Sequence, residues 1–565
     1  PWLEATTMRE YDIVYNSEIL AAGIRRGDKA NRNSKALIAA SDVVCEPGGL
    51  EAFPLVSQIV PFGAELQYPV EGASYPWPQL IVGREVTLLC YDTAIYAIDK
   101  DDPPTTAEEW EQSRIVVRLA TSIDLEYDLD PSSEPWDFVD MGPAWILVRP
   151  DIQLVKHNLE ETHLDNIGPL GHGGNYVLAL STDMLTAVYH RGRVIYGGMD
   201  VNTSWLVMLF DLFNQLYPEV PEPFKVITNF YDMKDNWVGW TGIGAEDLWG
   251  IFLPQLALGG VLTEWNPELT TAPFMDMLRK NEFGLMPTET QGQILRVKPL
   301  GDNIVAYGSE GITLLTPIQR PYPTFGSQLL LKTGIASRGA VGGNDGEHVF
   351  ITNVGDTFKL TGDGLQMLGY RHVFSEFVDD EFRISYDDAE RRFYINTGGD
   401  ALTLYLLSPS GLSAASGQKG LTSAFRVDGA LVGVATDLSY TLSRSYITTD
   451  WIDFGNRGVK TLVLAELGGY VNEEAAVYVK ICSRYHDSTI YNSGSIAVRD
   501  ALVDPHADTL QARVQFSGVE FRVEFMIKTN TSSPTKYPFD GIEIDYIRVG
   551  YQQNDRRHRR GADVG

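Results

Sequence analysis

The sequence predicts an all-β protein: a β-propeller of six to eight blades followed by a C-terminal β-sandwich. Short hairpins recur between Asp302 and Leu442 at an interval of about 40–50 residues, the spacing of propeller blades. Near Thr448 the texture changes to longer strands of alternating polarity, as in a sandwich with one wet face on each sheet. A content of 44% hydrophobic and 21% charged residues places both regions among folded chains.

The first hairpin reads Ile304-Val305-Ala306-Tyr307, a turn from Gly308 to Gly311, then Ile312-Thr313-Leu314-Leu315. A second pairs Val349–Thr352 with Thr357–Leu360 across Asn353 and Gly355, and a third pairs Phe393–Ile395 with Leu402–Leu406 across Thr397–Asp400. A weaker fourth copy sets Ala430–Val434 against Leu438–Leu442 around Thr436-Asp437. Runs of β-branched and aromatic residues broken by Gly, Asn and Asp are antiparallel hairpins. An ordinary sandwich carries similar turn signals, so for this region it stands as the alternative.

The same rhythm begins at Val86–Tyr91 and Ile95–Ile98 and continues through Ile115–Leu119, Ala144–Val148, Tyr176–Leu180, Met184–Tyr189 and Arg193–Gly198. A short amphipathic helix is predicted from Trp205, and strands resume at Asn236–Trp240. Sandwich strands are predicted over Lys460–Glu466, Ala475–Ile481, Ala512–Phe516, Phe521–Ile527 and Gly541–Tyr551. Four units follow: an extended arm over 1–79, the propeller over 80–447, the sandwich over 448–551 and a basic tail over 552–565.

Charge narrows the function. Lys and Arg number 45 against 75 Asp and Glu, a formal charge of −30. An acidic surface argues against a wrapped nucleic-acid partner but suits a wall past which a duplex slides without sticking. Two basic clusters stand out as candidate contacts to a partner or to DNA. One is Arg25, Arg26, Lys29, Arg32 and Lys35 in a polar segment; the other is Arg556, Arg557, His558, Arg559 and Arg560. Cys45, Cys90 and Cys482 are too scattered for a metal or disulfide framework and are expected reduced in a core. No run reaches the roughly 20 apolar residues of a membrane helix. The opening residues lack a charged-then-apolar signal pattern, which fits synthesis in the cytosol.

A search for catalytic groups leaves no convergent set. There is no phosphate-binding GxxxxGK[ST] loop, no GxSxG elbow and no HExxH motif. Asp124, Glu126, Asp128 and Asp130, like Asp379, Asp380 and Glu381, are charge runs of the kind found on solvated edges. His157, His163 and His172 have no standard ligand spacing, and Asp345 with Glu347 lacks the twelve-residue calcium loop. The chain is therefore expected to be non-enzymatic, with no catalytic, cofactor-binding or metal residues and no cofactor.

Gln291–Gly308, with its phrase Arg296-Val297-Lys298-Pro299-Leu300-Gly301-Asp302-Asn303, resembles the propeller of the tail nozzle proteins of short-tailed bacteriophages, also called head-completion or packaged-DNA-stabilisation proteins. His348–Asp356 and Gly364–Tyr370 are similar to the same propeller, and Asp450–Gly455 and Ile547–Tyr551 to the domain that follows it. The resemblance spans roughly 80–551 through short phrases and carries no catalytic residue. It implies a structural virion protein of the tail, assembled in the host cytoplasm. Such a protein forms a hexameric ring below the portal and adaptor, meets tail fibre or needle proteins, and passes double-stranded DNA without specific binding. Two alternatives stay open: a tail-tip protein whose sandwich binds host glycan, and a propeller glycosidase using a carboxylate such as Asp380.

Overall fold

The computed structural model describes residues 10–25, 35–53, 57–59, 79–84, 86–91, 94–99, 104, 106–119, 129–130, 132, 134–142, 145–156, 163–166, 182–198, 200–201, 235–240, 284–318, 324–397, 403–415, 423–427, 430–434, 444–455, 458–472, 475–485, 489–499, 510–529 and 542–553. Nearly all of the regular structure is strand.

Seven groups of three or four strands follow one another along the described chain as propeller blades. Blade I is an antiparallel meander of Gln79–Val82, Thr87–Tyr91, Ala94–Ile98 and Arg114–Leu119. Before its outer strand runs the helix Ala107–Ser113, whose N-terminus is closed by reciprocal bonds between Thr106 and Glu109. Its Trp110 packs edge-on against Tyr96, with ring centroids 5.3 Å apart. Blade II comprises Asp137–Asp140, Trp145–Arg149, Ile152–Lys156 and His163–Asn166. The outer strands of blades I and II pair in parallel, merging both blades into one eight-stranded sheet.

Blade III is Thr186–His190, Arg193–Gly197, Trp237–Trp240 and Gly284–Pro287. Blade IV holds Ile294–Leu300, Asn303–Gly308, Ile312–Ile318 and Thr324–Leu331. Blade V holds Val341–Gly343, Glu347–Ile351, Thr357–Thr361 and Gly364–Met367. Blade VI is Phe382–Asp387, Arg392–Thr397, Thr403–Leu407 and Leu412–Ala415. Blade VII pairs Ser423–Val427 with Ala430–Val434 and takes Ser57–Ile59 as a third, parallel strand. The first strand of blade VII packs on those of blades VI and I, which closes the ring.

Three of the four expected hairpins are the central pairs of blades IV, V and VI. In the fourth, Ala430–Val434 pairs instead with Ser423–Val427, across an Asp428-Gly429 dipeptide that is itself a strong hairpin signal. Leu438–Leu442, Tyr176–Leu180 and the helix expected from Trp205 lie outside the described residues.

The C-terminal sandwich is built from both ends of the chain. One sheet orders Val43–Glu46, Gly49–Ala52, Ile542–Gln553, Lys460–Val471 and Gln511–Gly518, and Glu10–Tyr15 pairs with the second half of Ile542–Gln553. The other orders Leu37–Ser41, Arg444–Thr449, Glu520–Thr529, Ala475–Arg484 and Ile490–Arg499. Between them lies one core that includes Tyr15, Leu37, Val43, Leu467, Val479, Phe525, Ile544 and Ile547, all nearly or fully buried. Each such side chain contributes roughly 1.5–3 kcal/mol by leaving water. Segment 1–79, read from sequence as an arm, thus supplies strands to the sandwich and to blade VII. The expected boundary at 447–448 falls within the strand Arg444–Thr449.

Strict alternation fails in Ile542–Gln553, where Ile542 and Ile544 point inward and then Ile547 and Val549 do. A bulge explains the slip. Gly468 and Gly469 are consecutive, yet they pair with Tyr546 and Ile544, so Asp545 is the extra residue. Gly469 has φ +126°, and a Cβ there would stand 2.0 Å from the Glu543 carbonyl oxygen.

Propeller and sandwich share a sheet. Leu37–Ser41 pairs antiparallel with Arg444–Thr449 on one side and, on the other, meets Leu412–Ala415 of blade VI in parallel. The result is a nine-stranded sheet running from blade VI to the far edge of the sandwich. Beside this seam the Ile24 N–H donates to the Leu412 carbonyl at 2.8 Å, and Arg392 of blade VI meets Glu46 at 2.7 Å. Gly23, at φ +63°, sits where a Cβ would be 2.1 Å from the Leu412 carbonyl oxygen and 2.6 Å from Cys45 Sγ. Gly23→Ala is expected to lower unfolding stability by about 2 kcal/mol or more, while Gly48→Ala, with open space around it, should be neutral. Urea denaturation of the two variants checks this; equal midpoints would show that the seam tolerates the methyl group.

Candidate functional site: the axial channel

The first strand of each blade faces the propeller axis, and its polar side chains tie each blade to the next. Gln79 mimics a strand pairing between blades I and II. Its Nε2 donates to the Trp136 carbonyl at 2.8 Å, and its Oε1 accepts from the Trp136 N–H at 2.7 Å. In blade III the Thr186 hydroxyl donates to Asp137 Oδ2 of blade II at 2.5 Å and accepts from the Val297 N–H of blade IV at 3.0 Å.

Asp137 is the centre of this arrangement. Arg296 Nε of blade IV donates to its Oδ1 at 3.0 Å, and Arg338 Nη2, just before blade V, donates to its Oδ2 at 3.1 Å. Arg338 Nη2 also reaches the Val148 carbonyl of blade II, and Arg296 Nη1 reaches the carbonyls of Arg338 and Val341. One carboxylate therefore fastens blades II, III, IV and V. Burial alone would raise its pKa, but Arg296, Arg338 and the Thr186 hydroxyl hold it below the usual carboxylate range.

Above this knot lies a cavity of about 350 Å³ lined by first-strand residues of blades I, IV, V and VI. Its cations are Arg296 and Lys298, two apart on one strand, and Arg383 of blade VI. Lys298 Nζ donates to the Gly343 carbonyl at 3.2 Å. Burial, then the neighbouring Arg296, push its ammonium group down to about 7, against a partial counterweight from Asp137. Burial likewise lowers Arg383 to about 10, so it remains charged at neutral pH. Glycine is concentrated here, and for a close-packing reason: a Cβ on Gly339 would stand 1.9 Å from the Phe382 carbonyl oxygen.

Blades V and VI are clasped further out. Glu347 accepts from Tyr386 Oη at 2.5 Å and from Arg391 at 3.0 and 2.6 Å, and pairs with Lys359 at 2.5 Å. Burial would raise this carboxyl, but these donors bring it down to about 2. Next to it His348 is fully buried, with Nδ1 2.8 Å from Tyr307 Oη, and burial drives its pKa to about 3, with Lys298 adding to the shift.

The residues singled out from the sequence fall elsewhere. Arg25 and Lys35 are exposed on the sandwich side of the seam, where the Arg25 N–H donates to the Leu37 carbonyl and Lys35 Nζ to the Val14 carbonyl at 2.9 Å. Arg26, Lys29, Arg32, Arg556, Arg557, His558, Arg559 and Arg560 lie outside the described residues, as do Asp124, Glu126, Asp128, His157 and His172. The calcium option at Asp345 and Glu347 loses its second ligand, because the Glu347 oxygens are taken by three side chains. Asp380 sits in a turn ahead of blade VI, and Glu381 is 3.7 Å from Arg383. Cys45 and Cys90 are buried thiols pushed up to about 12, which makes them unreactive. Sequence reading missed Asp137, Lys298, Arg296, Arg338 and Arg383 as a group; the available signal was the two-residue spacing of Arg296 and Lys298, which places both on one face of the strand Ile294–Leu300.

A closed succession of antiparallel sheets around a polar axial cavity defines a β-propeller protein. No protein-family model matches the chain, and no curated protein matches it. Among solved structures it is similar to the Pan2 WD40 domain of Neurospora crassa, at 8% identity and TM-score 0.31 over 66% of this chain and 86% of that one. It is also similar to Hsv2 of Kluyveromyces lactis, at 7% identity and TM-score 0.27 over 59% and 82%. A third is PorZ, a surface component of the type-IX secretion system of Porphyromonas gingivalis, at 10% identity and TM-score 0.26 over 75% and 46%. Likeness at this level carries no argument about function.

Replacing Asp137 with Ala should cost about 3–5 kcal/mol, because it strands two buried guanidinium groups, and thermal unfolding measures it. Acid stability has a definite sign. His348 takes up its proton first in the unfolded chain, so stability declines as pH falls from about 6.5 toward about 3. The Glu347 contribution is present above about 4.5 and is lost as pH falls toward about 2. Glu347→Gln should be less stable at neutral pH and show a shallower fall below pH 4.5; an unchanged acid limb in urea midpoints would contradict this.

Proposed function

We propose that the protein is a structural, non-enzymatic component of a ring assembly of the kind found in the tail nozzle of short-tailed bacteriophages. Its role there would be to conduct DNA rather than to act on it. The observation that carries the reading is the shared nine-stranded sheet, which makes propeller and sandwich one mechanical unit. A rigid junction of this kind suits a ring subunit that must hold its shape as DNA passes. The charge of −30 per chain supports the same reading, since a ring of such chains presents DNA with an acidic wall. Cyclic closure requires two different surfaces on each copy, and propeller and sandwich supply two.

A second reading, binding of host glycan by the sandwich, draws on one observation. On its edge strand Ile490 and Tyr491 are about half exposed, and Tyr485 meets Tyr491 edge-on at 5.7 Å. Aromatic faces of this kind suit sugar rings.

Light scattering and negative-stain imaging of the purified chain, alone and with its adaptor, test the first reading. A ring of six copies is the expected outcome, and a monomer under both conditions would reject it. For the second reading, Tyr491→Ala should weaken adsorption of the full-length protein to host cells; unchanged adsorption would remove it.

A further inference from the structure

The chain as a whole is strongly acidic, yet the polar cavity at the first strands of its propeller is lined by cations. Arg296, Lys298 and Arg383 line the axial cavity, with Arg338 beside them and only 5% exposed. The carboxylate buried with them, Asp137, has both oxygens committed to Arg296, Arg338 and Thr186. Of the other acidic groups near the cluster, Asp388 lines the rim of the cavity and the rest lie toward solvent. Glu381 is 39% exposed and 3.7 Å from Arg383, Asp388 is exposed and accepts from Asn344 at 2.5 Å, and Glu134 is only half-buried.

Donor capacity is left over at the same place. Lys298 Nζ has three N–H bonds and one acceptor among the described residues, the Gly343 carbonyl. Arg296 commits Nε and Nη1, which leaves Nη2 without a hydrogen bond among the described residues. Arg338, whose Nε and Nη1 are buried without a partner among the described residues, adds positive charge behind the cavity wall without lining it. Buried cations are retained when something of opposite charge completes them. A forked guanidinium next to an ammonium group is the donor set that recognises a phosphate-like oxyanion.

We propose that the axial cavity binds a small oxyanion, inorganic phosphate or a phosphorylated small molecule, held by Arg296, Lys298 and Arg383. At about 350 Å³ the cavity is near the lower end of small-ligand sites. It sits inside one chain, so this inference is independent of whether copies assemble into a ring. An anion held by these three side chains ties blade IV to blade VI, which the Asp137 knot does not contact.

Inorganic phosphate titrated into the full chain at constant ionic strength tests the site, read by thermal unfolding and calorimetry. At about 10 mM phosphate the midpoint should rise by about 2 °C, with saturable heat. Lys298→Met should lose the rise while keeping a cooperative transition, and Lys298→Arg should retain it. Glycerol 3-phosphate in parallel distinguishes the two forms of ligand, since tighter binding than phosphate assigns the site to organic phosphates. Absence of a shift in the wild-type chain, an equal shift in Lys298→Met, or an equal shift with chloride at matched ionic strength would overturn the proposal.

Discussion

A carboxylate that meets two guanidinium groups and a hydroxyl has no oxygen left over for water, and at the propeller axis that carboxylate is Asp137. Blades touch mainly their neighbours, so a propeller depends on whatever fixes the angle from one blade to the next. Hydrophobic contacts between first strands tolerate small rotations; a charged hydrogen bond with defined donors does not. Through Thr186, Arg296 and Arg338 this single side chain sets the relation of four consecutive blades. Its own low pKa keeps it ionised across the neutral range. Arg296 links the knot to the cavity, since it bonds Asp137 with one nitrogen and lines the channel as well.

The second constraint lies at blade VI. A free propeller ends each blade at an open edge, which is a liability because unpaired backbone invites further strands. Here the outer strand Leu412–Ala415 is covered by Leu37–Ser41, and the sheet continues into the sandwich. Val44 and Phe53 of the adjoining segment pack with Tyr394, Leu404 and Leu406 of the same blade. One face and the outer edge of blade VI are thus committed to the junction, while its other face packs Phe393 and Ile395 with Val349 and Ile351 of blade V. Relative motion of the two domains would require breaking a sheet rather than opening a hinge.

Much of the fold was legible because strand signals are local. The paired runs around Gly308–Gly311 and Thr397–Asp400 carry their turn chemistry between them, and the alternation in Ala475–Arg484 declares its buried face. What escaped was non-local. Leu37-Ile38-Ala39-Ala40-Ser41 has neither a turn beside it nor a clear alternation, and its partners are hundreds of residues away. Ile490–Arg499 was missed because its residues are mostly exposed, as an edge strand allows, and its apolar positions do not alternate around Asn492-Ser493-Gly494-Ser495. The axial cluster was hidden for a related reason: Asp137, Arg296, Arg338 and Arg383 are each unremarkable in their own segments, and ring closure brings them together.

The pairing of Glu10–Tyr15 with Ile542–Gln553 has a consequence for how the chain is made. The strand Glu10–Tyr15 has no sheet to join until Ile542–Gln553, on the far side of the propeller in sequence, has been synthesised. At ribosomal speeds of ~5–20 residues per second, that wait is on the order of half a minute or more. Leu37–Ser41 waits nearly as long for Arg444–Thr449. During this interval the segment carrying Tyr15, Leu20, Leu37 and Val43 keeps apolar side chains in water that the finished fold buries. Blades can close one by one behind the ribosome, but the seam that unites propeller and sandwich forms only after them.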